Sequence, residues 1–246
     1  MIRSIPAPDD LIHRITKLGV DPFAPAPWEY VGNNRYDDPE RKFRVIYCAS
    51  ERAAAFGETL ARFRRSLRLL ELMRAIDDDG ESIEEALGGL LDLDDERRGV
   101  VPVDWRFKRQ IGSTILDPSL RFAAIAEPES VAHLRSALAP VVDMVGLADF
   151  DLGAVFSAER IITQHCARYI YDLRNEQGDP LFAGISYPSR INSHWTCWAI
   201  FDDRLIHTPR MLETTIDPQD PGFVEAARLL ELSVEVVRGH GTYIRP

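Results

Sequence analysis

The chain has 246 residues, of which 45% are hydrophobic and 28% are charged, as is ordinary for a globular protein with a sizeable core. Its formal net charge of −10 argues against non-specific nucleic-acid binding as the main activity. No basic and apolar leader opens the sequence, and no apolar run approaches the roughly 18 residues of a membrane span. We therefore expect a cytoplasmic protein without membrane contact. Three cysteines lie far apart in apolar runs and predict buried thiols in a reducing compartment.

The first third of the chain is interpreted from its prolines and apolar spacing. Residues 1–32 contain five prolines and predict mostly loop, with one short apolar element at residues 11–15 that carries Arg14. An apolar strand is predicted over residues 43–48. Ser50 is then predicted to cap a helix over residues 51–75, in which apolar residues recur every three or four positions. A second, acidic helix is predicted over residues 82–91.

The rest of the chain intermixes short strands and helices without a regular period. Strands are predicted at residues 111–116, 121–126, 183–187, 196–202 and 233–237. Helices are predicted at residues 130–138, 158–174 (behind Ser157) and 223–232. Because no internal repeat or low-complexity linker divides the chain, we predict one α+β domain over residues 1–246. Its central mixed or antiparallel sheet would be flanked by helices.

A cation, two phenols and a carboxylate lie close together around the first predicted strand and helix. Arg35 and Tyr36 lead into a polar turn, Tyr47 lies on the strand and Glu58 on the helix. A guanidinium can bind phosphate oxygens bidentately and a phenol ring can stack on a flat heterocycle. The alternative is an exposed Glu58 paired with the arginine one turn later, worth about 0.3 kcal/mol. A mid-helix glycine such as Gly57 costs helix stability and is often explained by close packing or by a bound ligand, which argues against this alternative.

A second polar stretch, GISYPSRINSHWTCW at residues 184–198, lies between two predicted strands. A polar loop this dense at a strand end is a usual place for a functional site. A hydrophilic turn begun by Pro188 accounts for the same composition. The G-x-S-x-G pattern of a serine hydrolase is not met, because Pro188 stands where the second glycine is needed.

Other motifs are excluded by spacing. The six histidines show no paired His or Cys spacing, so no metal site is expected. With Gly80 at the turn of an EF-hand, Ala75 and Ala86 would stand at ligand positions, which excludes that loop. The basic run Arg62, Arg64, Arg65 and Arg68 is predicted to be a solvated helix face.

The motifs taken together resemble the RES domain, a family named for arginine, glutamate and serine motifs. They are HRI at residues 13–15, GNNRY at 32–36, VIYCASERAAAFGE at 45–58, ITQ at 162–164 and GISYPSR at 184–190. Each is short, and their order and spacing make the set specific. The chain departs from small toxin-type members by extra, helical material at about residues 62–120, and by Asn33-Asn34 where a glycine is expected.

The resemblance implies a fold like that of the ADP-ribosyltransferases and the consumption of NAD, in some relatives by phosphorolysis. Cleavage of the nicotinamide–ribose bond passes through an oxocarbenium-like state with a leaving group that needs little protonation. No cofactor is therefore expected, with NAD as the substrate and inorganic phosphate as a candidate co-substrate. A protein antitoxin and a homodimer are partners that only the family suggests. Direct nucleic-acid binding is not expected.

The resemblance also implies roles for eight residues. Arginines would anchor the pyrophosphate or an attacking phosphate, a tyrosine would pack against nicotinamide or its ribose, and the glutamate would stabilise the cation. A serine would position the leaving amide or a phosphate, with Ser189 favoured over Ser186. The implied catalytic residues are Arg35, Glu58 and Ser189, and the implied substrate-binding residues are Arg14, Tyr36, Tyr47, Ser186 and Arg190.

Three functions remain open at this point. The first is NAD degradation by phosphorolysis or hydrolysis, and the second is transfer of ADP-ribose to a protein or nucleotide. The third is a binding module that keeps the pocket without turnover. The intact motif residues count against the third.

Overall fold

The computed structural model describes residues 1–67, 70–71, 99–157, 159–205, 212–238 and 241–245. Its strands are β1 (Ser4–Pro6), β2 (Ile12–Lys17), β3 (Val45–Ala49), β4 (Val100–Val101), β5 (Arg109–Thr114), β6 (Arg121–Ala124), β7 (Gly184–Pro188), β8 (Thr196–Phe201), β9 (Leu212–Thr215), β10 (Ser233–Arg238) and β11 (Gly241–Arg245). Eight of them form one mixed sheet in the order β1-β6-β7-β8-β3-β2-β5-β9, and a small second sheet has the order β11-β10-β4. Within the large sheet β6 and β7 run parallel, and the other pairs run antiparallel.

Helices cover one face of the large sheet in two groups. The described helices are α1 (Arg52–Leu60), α2 (Val103–Phe107), α3 (Pro128–Ala137), α4 (Ala139–Met144), α5 (Leu152–Val155), α6 (Arg160–Asp172) and α7 (Pro221–Leu229). The first group, α3 to α6, packs on β7 and β8 through residues such as Leu134, Ile170 and Ile185. The second, α1 with α7, packs on β2 and β5 through Phe56, Phe223 and Ile111.

Loop segments cover the opposite face of the sheet. Ala7, Phe23 and Leu116 pack there against Ile46 and Trp198. The resulting α+β architecture confirms the predicted fold class, with a mixed sheet flanked by helices. The three cysteines are buried and free, as predicted.

The stretch at residues 62–120 contains part of the central sheet. Strand β5 lies within it and pairs along its length with β2 on one side, and with β9 on the other. Residues 109–114 therefore belong to the sheet rather than to material outside it. The acidic helix predicted at residues 82–91 lies outside the described residues.

The helix predicted over residues 51–75 is shorter than its apolar spacing suggests. Helix α1 ends at Leu60, and a 3-10 turn, Ala61–Phe63, follows before Arg64 becomes extended. The helix is not continued because of a contact with a residue distant in sequence: the carbonyl of Phe63 accepts a hydrogen bond from Gly99 N at 2.9 Å. The Phe63 ring packs edge-on against Trp105, so the chain turns away here.

The start of α1 also differs from the prediction. Ser50 does not cap the helix, because its Oγ accepts a hydrogen bond from Trp198 Nε1 at 2.8 Å. Glu51 occupies the N-cap position, and its carboxylate accepts from Thr196 N. Both side chains thus join the helix start to strand β8.

Helix α6 begins slightly later than the sequence predicts. Its N-cap is Glu159, whose carboxylate accepts a hydrogen bond from Ile161 N, and its first helical residue is Arg160. The hydroxyl of Ser157 instead accepts from Glu159 N at 2.9 Å. Ser157 therefore stabilises the turn before the helix rather than the helix itself.

Gly57 allows helix α1 to approach the loop after β7. A Cβ at this position would lie 2.3 and 2.8 Å from two ring atoms of Trp195, a side chain that is only 3% exposed. Packing therefore favours glycine at this position, since the indole of Trp195 occupies the space that a side chain would need.

Replacing Gly57 with alanine is expected to destabilise the fold, although alanine is the better helix former by about 1 kcal/mol. The buried indole has to move, and overpacking of this kind costs about 1–3 kcal/mol. Urea unfolding would measure the change, with Gly57→Ala/Trp195→Leu as the control that removes the clash. A Gly57→Ala protein more stable than the parent would contradict this account of the glycine.

Candidate functional site

A cleft opens in the large sheet where two neighbouring strands part. Strands β2 and β3 share a single residue pair, His13 with Ala49, whereas each pairs along its length with its other neighbour. The cleft has a volume of about 620 Å³ and is lined by β2, β3, α1 and the loop after β7. Because each wall comes from a different part of the chain, side chains distant in sequence meet there.

The turn before β3 brings Arg35 to this cleft. The Asp37 carboxylate, only 3% exposed, accepts through Oδ2 from Gly32 N and Asn34 N at 2.9 Å, and from Asn34 Nδ2 at 3.0 Å. From α6, Gln164 Nε2 donates to the carbonyls of Gly32 and Asn34 at 2.9 and 3.0 Å. Two buried side chains thus hold the turn from both sides and fix the position of the arginine.

Tyr47 lines the cleft, and its hydroxyl is already hydrogen-bonded within the protein. Its Oη donates to Asp37 Oδ1 at 3.0 Å and accepts from Tyr36 N at 2.9 Å. Burial, with the neighbouring Asp37 carboxylate, raises the pKa of Tyr47 well above its usual value, so the phenol stays protonated. Since the hydroxyl is already engaged, a ligand would contact the ring face.

A second tyrosine, Tyr187, lines the same cleft from β7. Its ring centroid lies 4.7 Å from that of Tyr36, which is fully buried beneath it. Burial is also the main cause that raises the pKa of Tyr187, followed by nearby Cys197. The cleft therefore has two aromatic side chains in its wall, Tyr47 and Tyr187.

Arg14 lines the cleft from β2 and also holds a loop in place. Its Nη1 donates to the carbonyls of Pro22 and Ala24 at 2.8 and 2.9 Å. Burial lowers the pKa of the guanidinium from its usual value. Among the described residues its other two nitrogens have no hydrogen-bond partner, so they can bind an anion.

Glu58 is the carboxylate of the cleft, and a serine from the other motif orients it. Ser189 Oγ donates to Glu58 Oε1 at 2.5 Å and accepts from Ile191 N at 3.0 Å. The Cys197 thiol lies 3.9 Å from the same oxygen, and its pKa is raised by burial and by Glu58, so it stays protonated. Within the described chain Oε2 has no hydrogen-bond partner, which leaves one exposed carboxylate oxygen for a ligand.

His13 forms part of the cleft wall as a neutral imidazole. Its Nδ1 lies 2.7 Å from Ser113 Oγ. Burial, helped by the positive charge of Arg52, lowers the pKa of His13 to about 4 despite the opposing effect of Asp220. The ring is therefore uncharged at neutral pH and can exchange hydrogen bonds without adding charge.

The low pKa of His13 predicts a pH dependence of stability. The pKa of His13 is near 6.5 in the unfolded chain and near 4 in the folded protein. The contribution of neutral His13 to the free energy of unfolding is therefore fully present above pH 6.5. It is lost as the pH falls towards 4, since the unfolded chain binds the proton more tightly. The fall in Tm between pH 7 and pH 5 should be smaller by about 2–4 °C in His13→Gln than in the parent. Equal falls in both proteins would contradict this assignment.

The structure brings most of the predicted site residues together. Arg14, Arg35, Tyr47, Glu58 and Arg190 line the cleft, and Ser189 reaches it through its bond to Glu58.

Two predicted residues lie outside the cleft lining. Tyr36 is fully buried, so Tyr47 is the better placed of the two tyrosines to contact a ligand. Ser186 is buried within β7 between β6 and β8, whereas Ser189 bonds Glu58. The roles implied for both residues are therefore not supported by their positions.

Several residues of the site are not predicted from the sequence, among them Asp37, Tyr187, His13 and Arg64. The sequence places Asp37 only in a polar turn, because nothing local distinguishes a buried aspartate from an exposed one. Tyr187 lies in the GISYPSR motif and His13 in the HRI motif. Their membership of these motifs is the only indication that the sequence offers.

No group of three or more histidine, cysteine or acidic side chains that could hold a metal occurs among the described residues. No helix in this part of the chain is long and apolar enough to cross a membrane.

A cleft with arginines, aromatic rings and one oriented carboxylate has the chemistry to bind a phosphorylated ligand with a flat ring. The model of one family, the RES domain, matches residues 11–139, which is more than half of the chain. The chain therefore belongs to the RES domain family, and at the level of the family it is a toxin-like, NAD-related module. Neither the comparison with curated proteins nor the comparison with solved structures finds a match.

Proposed function

We propose that this protein degrades NAD by breaking the bond between nicotinamide and ribose. The observation that carries the proposal is the Glu58 carboxylate in the cleft, oriented at 2.5 Å by Ser189 and exposed through its other oxygen. Family membership supports NAD as the substrate. The cleft offers groups suited to each part of that molecule.

The phosphates and the flat ring of NAD would contact different parts of the cleft. Arg14 and Arg35 would bind the pyrophosphate, because guanidinium groups bind phosphate oxygens by charge-assisted hydrogen bonds. The rings of Tyr47 and Tyr187 would pack against nicotinamide or its ribose. These assignments match the chemistry of the lining residues.

The reaction itself would depend on stabilisation of positive charge. When the C1′–N bond breaks, its electron pair leaves with nicotinamide, which departs as a neutral base. Positive charge then develops on C1′ and the ring oxygen of the ribose, and Glu58 would stabilise it. An oxygen of phosphate or water forms the new bond to C1′, and water also releases a proton to the solvent. No cofactor is needed, because the leaving group takes the electron pair.

Mass spectrometry of NAD incubated with the purified protein, with and without inorganic phosphate, tests the proposal. Nicotinamide with phosphorylated ADP-ribose, formed only when phosphate is present, would establish phosphorolysis. Nicotinamide with free ADP-ribose would establish hydrolysis. Intact NAD in both samples would refute the proposal and turn attention to transfer onto a protein or nucleotide.

Family membership alone supports a protein antitoxin that neutralises a toxin activity, and a homodimer. Purification from the native cell, followed by mass determination of the intact particle, would test both. A monomer without a bound protein would count against them.

A further inference from the structure

The described part of the basic run, Arg62, Arg64 and Arg65, does not form one solvated helix face, and Arg68 lies outside the described residues. Because α1 ends at Leu60, Arg64 enters extended backbone and lines the cleft. The side chain of Arg65 instead lies against Gly99. One arginine of this run is thus available to a ligand in the same cleft as Glu58.

Arg64 and Arg190 both lie close along the backbone to the Glu58–Ser189 pair. Arg190 directly follows Ser189, so their Cα atoms lie about 3.8 Å apart. Arg64 follows Glu58 by six residues, which corresponds to about 9–12 Å along the helix and its 3-10 extension. The other two cleft arginines come from elsewhere, one on β2 and one in the turn before β3.

The two groups of arginines also differ in their partners. Arg14 Nη1 donates to two carbonyls at 2.8 and 2.9 Å, and Arg35 Nη2 approaches two carbonyls at 3.4 Å. Among the described residues, the guanidinium groups of Arg64 and Arg190 make no hydrogen bond and no ion pair. The chain has 39 acidic and 29 basic residues, so two exposed guanidiniums in one cleft, with no carboxylate bonded to either of them, point to an anionic ligand.

We propose that Arg64 and Arg190 form a second phosphate subsite beside Glu58, distinct from the pyrophosphate site assigned to Arg14 and Arg35. Its part in turnover rests on the proposed function, whereas the binding itself does not. The phosphate group has two sources. It is either free inorganic phosphate or an additional phosphate carried by the nucleotide, such as the 2′-phosphate of NADP.

The first experiment measures binding without NAD turnover. Inorganic phosphate is titrated into the full chain by calorimetry, and Arg64→Gln and Arg190→Gln are each expected to weaken its binding by about tenfold or more, which is 1.4 kcal/mol. The matched control is Arg228→Gln on α7, which removes the same charge from an exposed arginine outside the cleft lining. This control should bind phosphate as the parent does.

The second experiment distinguishes the two sources by comparing the affinities for NADP and NAD. If the nucleotide carries the phosphate, the parent binds NADP more tightly, and both cleft variants lose that preference even where free phosphate does not bind. Parent-like phosphate affinity and parent-like NADP preference in both variants would overturn the subsite. Phosphate binding that depends on Arg64 in a protein that leaves NAD intact would uphold the subsite and refute the proposed reaction.

Discussion

Glu58→Gln is expected to reduce NAD cleavage by about 10²- to 10³-fold, as removal of one group that stabilises transition-state charge does in other enzymes. Glutamine keeps the shape and an oxygen that can accept from Ser189 Oγ, but it carries no negative charge to stabilise the cation. The loss should therefore appear in kcat. Because Glu58 is exposed on α1, the thermal unfolding of the variant should match that of the parent.

The control for Glu58→Gln is Glu225→Gln on α7, which removes one carboxylate from an exposed helix position outside the cleft lining. It should retain parental activity. The site assignment fails if Glu58→Gln cleaves NAD at the parental rate, or if Glu225→Gln is equally impaired.

Asp37→Ala is expected to cost about 3–5 kcal/mol of folding free energy, because buried donors lose a charged acceptor. The donors are the backbone N–H groups of Gly32 and Asn34, the Asn34 amide and the Tyr47 hydroxyl. The same change releases the turn that positions Arg35. Activity should therefore fall even at temperatures where the variant remains folded.

Denaturant unfolding and NAD cleavage, both measured at about 15 °C, near the usual temperature of maximum stability, would separate the two effects of Asp37→Ala. Asp143→Ala on α4 is the control, since Asp143 is exposed and lies outside the cleft lining. A loss below about 1 kcal/mol, the size of an ordinary substitution effect, or full activity in the folded variant, would show that Asp37 does not organise the turn.

The turn before β3 shows how much of the site depends on long-range contacts. Gln164 lies 132 residues from Gly32, yet its amide donates to the carbonyl of that residue. The ITQ motif at residues 162–164 thus acquires a physical explanation, which is support of the arginine turn from helix α6. The sequence alone identified the motif without this role.

The sequence by itself determined the α+β class, the approximate positions of most strands and helices, and five of the residues that line the cleft: Arg14, Arg35, Tyr47, Glu58 and Arg190. These features follow from local apolar periodicity and from motifs whose order is visible along the chain. It could not show that α1 ends at Leu60, because the apolar spacing continues through Phe63. Three residues beyond the helix end, the Phe63 carbonyl accepts a hydrogen bond from Gly99 N, a residue far along the chain.

Only the tertiary structure decided where the chemistry lies. The cleft exists because β2 and β3 part after one pair, while β5 and β8 hold their other edges. Ser189 meets Glu58 across 131 residues of chain, and Trp195 fills the space left by Gly57. No local pattern encodes these contacts, because each depends on how the strands and helices pack once the chain has folded.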